Sequence, residues 1–186
     1  MKTTLSLAIA GVVLSAATAL AADAGTTVEL DSLKSAAPAG WKKEEPTAMQ
    51  KNFRKYQFRI AKADGDKEDA EVVVFFFGAG GGGTKDANLQ RWKGQFKTSD
   101  GKPAAAQEAK RTVNGLPVST VDTSGEYSGM GGPMTTAPTV SGYRLLGAII
   151  EAPGGMLFIK FTGPIKTVAA NQQKFEQLLA SFQPDK

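Results

Sequence analysis

The chain has 186 residues, 41% hydrophobic and 22% charged, with 22 Lys and Arg against 18 Asp and Glu. It contains no Cys and no His, which excludes zinc fingers, haem held by His, Cys-His nucleophiles, Ser-His-Asp relays and any help from disulfides. A net charge of +4 is a mild excess, good for solubility and insufficient to specify an anionic partner.

The N-terminus carries export information. Met1 and Lys2 form a short positive region, Leu5 to Ala17 an apolar one, and Ala19-Leu20-Ala21 the small-x-small pattern read by a signal peptidase. Residues 1–21 therefore read as a signal peptide cut between Ala21 and Ala22, and residues 22–186 as one domain. The apolar stretch is broken by Ser6, Ser15 and Thr18 and falls short of the roughly 20 residues that span a bilayer. No Lys/Arg cluster follows it and no Cys can be acylated, so no stable membrane anchor is expected. The expected location is the periplasm or the exterior.

Residues 22–37 read as a tail entering one short strand through Val28, Leu30 and Leu33, and Pro38-Ala39-Gly40 as a turn that delivers Trp41. From Phe53 to Ile60 the period is two. It puts Tyr56, Phe58 and Ile60 on one face with Arg54, and Lys55, Gln57 and Arg59 on the other. After an Asp64-Gly65-Asp66 turn, Val72 to Phe77 is apolar on both sides and predicts a central strand. Lys85 to Lys97 predicts a helix capped by Thr84, with Leu89, Trp92 and Phe96 at helical spacing. Asn114-Gly115 marks a hairpin between strands near 107–113 and 116–127. A second hairpin joins 143–152 to 156–162 through Pro153-Gly154-Gly155. Pro164 opens a terminal helix striped by Ile165, Val168, Phe175, Leu178, Leu179 and Phe182, ending before Pro184.

Without βαβ alternation the fold class is α+β, an antiparallel sheet with helices on both faces. The signal Pro38-Ala39-Gly40-Trp41 after the first strand, the paired strands around Tyr143 to Thr162 and the closing helix with Phe175, Leu178, Leu179 and Phe182 resemble the Mog1/PsbP-like group. They also resemble small exported proteins of planctomycete-type bacteria. The resemblance covers most of residues 28–182 in element order. It implies an α/β/α sandwich and a role in binding or assembly rather than catalysis, and it carries no motif onto which a functional residue could be transferred.

Gly78-Ala79-Gly80-Gly81-Gly82-Gly83 fits a dinucleotide fingerprint in form, but no parallel return strand follows it. The Gly83-Thr84-Lys85 order reverses the one a phosphate loop needs, so a flexible connection is expected. Asp64, Asp66, Glu68 and Asp69 crowd one turn but break the calcium-loop pattern. Met130 and Met134 lack the His or Cys that would complete a copper site. Lys42, Lys43, Lys51, Arg54, Lys55, Arg59 and Lys62 are interleaved with aromatic residues, yet export and the strand period argue for a solvated face rather than a nucleic-acid surface.

No metal, cofactor or nucleic acid is therefore expected. The reading is an exported non-catalytic binding or assembly module, not an enzyme, whose partner is a protein or an anionic surface component. A carrier of a small apolar ligand is the alternative, and an enzyme using carboxylates a more distant one. The long loop 128–141 is the expected partner-binding segment, through Gly129, Met130, Gly131, Gly132, Pro133 and Met134.

Overall fold

The computed structural model describes residues 25–129 and 139–184. The signal segment, the Ala21/Ala22 cleavage pair and the loop residues Met130, Gly131, Gly132, Pro133 and Met134 lie outside the described residues. An eight-stranded antiparallel sheet dominates the molecule. Its order is β3 (Lys42–Glu44), β4 (Arg54–Ile60), β5 (Ala70–Phe76), β10 (Gly155–Pro164), β9 (Val140–Ala152), β8 (Leu116–Tyr127). Along its outer side β8 pairs with both β7 (Ala106–Val113) and the short β6 (Phe96–Lys97). A three-stranded sheet of β1 (Thr27–Leu30), β2 (Leu33–Ala36) and β11 (Gln183–Pro184) stands apart from it.

Alternation along the central strands feeds two separate cores. Val72 and Val74 of β5 join Leu157, Ile159 and Phe161 of β10 on one face, beneath Phe175, Leu178 and Leu179 of the terminal helix and Val28 and Leu33 of the small sheet. Val73 and Phe75 join Phe158, Leu145 and Ile149 on the other, beneath Leu89 and Trp92 of α1 (Lys85–Lys93). The second face is thinly covered. Nine residues of α1 cannot roof strands of up to thirteen residues, so the antiparallel sheet expected from sequence is present without full helical layers on both sides.

Several local signals act as read. Thr84 Oγ1 accepts from Ala87 N at 3.2 Å and caps α1. Asn114 and Gly115, at φ 49° and 83°, make the two-residue turn that sets Val113 opposite Leu116. Others are overridden. The first apolar segment is a hairpin, turning at Asp31 with φ 53°. The first helix ends at Gly94, and Phe96, expected on it, is instead a fully buried strand residue opposite Tyr127. The terminal helix breaks at Asn171 into α2 (Ile165–Ala170) and α3 (Gln172–Ser181), and Ile165, expected on the apolar stripe, is 42% exposed.

Candidate functional site

The uncovered part of the α1 face is a cleft whose floor is the sheet itself. Its polar chamber, about 340 Å³, is lined by Arg54, Glu71, Tyr127, Tyr143, Lys160 and Thr162, with Asp69 at its margin. An aromatic chamber of about 240 Å³ is lined by Phe53, Phe75, Phe77, Trp92 and Phe158, with Arg91. Phe75 and Lys160 line both.

Lys160 lies on β10 opposite Val73 of β5 and Gly147 of β9, so its side chain stands on the α1 face in the middle of the sheet. It is only 5% exposed. The ammonium donates to Gln95 Oε1 at 3.1 Å and sits 5.9 Å from the Tyr127 ring centroid, and among the described residues it forms no ion pair. Burial, reinforced by the nearby Arg91 charge, pushes its pKa down to about 8. Burial likewise raises the Tyr127 phenol. It also raises Tyr143, whose hydroxyl donates to Glu68 Oε2.

Arg54 reaches the cleft because β4 is irregular. Arg54 pairs with Phe75, but the register shifts before Tyr56, which pairs with Val74. The bulge turns Arg54 away from the Tyr56, Phe58 and Ile60 face on which strict alternation places it. Its guanidinium lies over the Phe75 ring, 5.7 Å from the centroid, and Nη1 donates to Glu71 Oε1 and Gln57 Oε1, each at 3.0 Å. Arg54 Nε and Thr162 Oγ1 are buried without a hydrogen-bond partner among the described residues. Such atoms are uncommon in folded proteins and need an explanation.

The Gly78 to Gly83 segment, expected to be a flexible connection, lies against the aromatic end. At Gly82, with φ 80°, a Cβ would stand 2.6 Å from Phe158 Cε2 and 2.7 Å from Phe77 Cδ2. Glycine is required there by the close approach of the backbone to the rings.

The remaining sequence candidates do not converge on the cleft as a group. Asp66 Oδ2 accepts from Thr167 N at 2.8 Å and Thr167 Oγ1 at 2.6 Å, tying the acidic turn to α2, while Asp69 Oδ1 accepts from Lys62 N at 3.0 Å. Asp69 of that turn and Glu71 beyond it nevertheless line the polar chamber. Of the basic cluster, Lys43 and Lys51 pair with Glu45 and Arg59 with Glu44, and Arg54 is the member that lines the cleft. Gly129 lies in a turn two residues beyond Tyr127, the last residue of β8. Lys160, which sequence reasoning passed over, was visible as a lone charge inside the apolar run Leu157 to Phe161.

Among the described residues no helix is long and apolar enough to cross a membrane. No protein-family model and no curated protein matches the chain. Solved structures do. A protein of unknown function from Pseudomonas aeruginosa aligns at 12% identity over 84% of this chain and 94% of its own, with a TM-score of 0.47. A Bacteroides thetaiotaomicron protein aligns at 12% identity over 87% of this chain and 49% of its own, with a TM-score of 0.46. The solution structure of cyanobacterial PsbP from Synechocystis aligns at 11% identity over 92% of this chain and 98% of its own, with a TM-score of 0.53. At that identity the likeness is one of architecture, and this chain has a PsbP-like fold.

Proposed function

We propose that this chain is an exported, non-catalytic binding module that holds a small molecule in the cleft on the α1 face. The observation that carries the reading is Lys160, a nearly buried cation with one neutral acceptor, placed where a polar chamber meets an aromatic one. Ligand sites combine apolar walls with a few converging polar groups in this way. Of the readings weighed from sequence, an aromatic chamber inside the domain favours the carrier of a small ligand over a module that binds only through its surface.

Catalysis by carboxylates is disfavoured because both acids of the cleft are engaged. Glu71 is paired with Arg54, and Asp69 accepts from the Lys62 backbone. Within the wider Mog1/PsbP-like resemblance, which extends to small exported proteins of planctomycete-type bacteria, binding is also the expected role. Gly129 to Met134 is retained from the sequence as the proposed second contact, with a protein or an anionic surface component.

Two measurements test the reading. Expression with the native leader should yield a product whose intact mass begins at Ala22. Amide shifts of Phe75, Tyr127 and Lys160 should then move together on titration with small organic ligands. Shifts confined to other surfaces would remove the cleft from consideration.

A further inference from the structure

The charges and rings of the cleft define the kind of molecule it takes, an inference that rests on the cleft being a ligand site. Phe53, Phe75 and Phe77 lie within 10° of parallel, with centroids 6.3 to 6.5 Å apart. Phe158 meets Phe77 edge-on at 71° and 5.8 Å. Three near-parallel rings present a shelf rather than a plug, and Phe77 remains 46% exposed on it. A flat apolar body gains most from such a shelf, by offset stacking on several rings at once.

Two cations border the shelf, Lys160 and Arg91. Arg91 donates to Asn88 Oδ1, and neither cation forms an ion pair among the described residues. In the adjoining chamber Arg54 is matched by Glu71, while its Nε and Thr162 Oγ1 lack partners. Arg54, Arg91 and Lys160 thus face Asp69 and Glu71 around the whole cleft, an excess of one positive charge. A buried ammonium with spare donors is satisfied best by an ionised acceptor.

We propose that the cleft binds an organic monoanion with a planar apolar body, its carboxylate-type group accepting from Lys160 Nζ and its body lying on the Phe75 and Phe77 rings. A neutral planar molecule leaves Lys160 unmatched, and a planar cation is repelled by it. A bare inorganic anion leaves the shelf uncovered.

Isothermal titration of the mature protein with naphthalene-2-carboxylate, its methyl ester, 2-naphthylmethylammonium and inorganic phosphate tests the assignment. The carboxylate should bind about tenfold or more tightly than each of the others. Lys160→Met should remove most of the gap between carboxylate and ester and leave the ester unchanged, whereas Phe77→Ala should weaken both. If Lys160→Met does not fold, Arg91→Gln on the exposed rim should still narrow the gap between carboxylate and ester. Equal affinity for carboxylate and ester in the wild type, or an unchanged carboxylate affinity in a folded Lys160→Met, overturns the anion assignment while leaving the cleft a ligand site. Absence of binding by all four, with no shift at Lys160 or Phe75, removes the ligand site itself.

Discussion

A lysine ammonium held between strands weakens the fold unless something in its surroundings answers its charge. Below pH 8 Lys160 is protonated both in the folded protein and in the unfolded chain, so its desolvation cost is fully present. Between its folded value of about 8 and the ordinary 10.5 the unfolded chain binds more protons, and stability rises with pH. Lys160→Met should therefore be more stable than the wild type at pH 7, and its advantage should shrink by about 2 to 3 kcal/mol between pH 8 and 10.5, at 1.36 kcal/mol per unit. Paired urea titrations at pH 7, 9 and 10.5 check this, and an advantage that does not change with pH would show that the ammonium is not desolvated. The penalty explains why such a residue signals function, since a core chosen for stability alone would place an apolar group there. Lys160 could be found in sequence as an interruption of an apolar strand. Arg54 could not, because period-two counting cannot see the bulge that moves it to the other face.

Elements fail or succeed in the sequence according to how local their causes are. The Asn114-Gly115 turn and the Thr84 cap depend on neighbours a few residues away, and both form as their residues dictate. The first helix stops early because Gly94 interrupts it and because the backbone of Phe96 and Lys97 finds partners on β8, far off in the chain. Helical phase nevertheless places Leu89 and Trp92 correctly, 4% and 2% exposed. Trp92 is seated over Gly147 of β9, where a Cβ would come within 2.7 Å of its ring. The missing side chain of Gly147 is what lets α1 approach the sheet. Trp92→Ala should cost about 3 to 5 kcal/mol by removing a fully packed indole. Since that ring also walls the aromatic chamber, the variant should lose affinity for the planar carboxylate in the same preparation. A loss of less than about 1 kcal/mol, read from urea midpoints, would mean that the site collapses around the vacated volume.

At the scale of the whole molecule, strand directions decide which loops can share a site. Pairing of β5 with β10, β10 with β9 and β9 with β8 is antiparallel throughout. Gly78 therefore shares one end of the sheet with Asn114-Gly115 and with the Pro153-Gly154 turn. The chain between β8 and β9 leaves from the other end, with Asp64 to Asp69. Counting directions in sequence already gives this division, because each hairpin reverses the chain once and α1 reverses it once more. The cleft runs between the two ends, aromatic toward Gly82 and polar toward Tyr143. A ligand in it can touch Gly82 with its body, while Gly129 and Ser141, which flank the second glycine-rich segment, lie at the opposite end of the strands, so these described residues are not placed to form one clamp. A chain without native cysteine allows a direct measurement. Spin labels on Ala79→Cys and Ser141→Cys, both at exposed positions, bracket seven or more strand residues at about 3.3 Å each, so their separation should be roughly 25 Å or more. The distance should stay the same when the planar carboxylate is added, since rigid strands rather than a hinge connect the labels. A distribution centred below about 15 Å, or one that shortens on binding, would place the two segments at one end and restore a joint clamp.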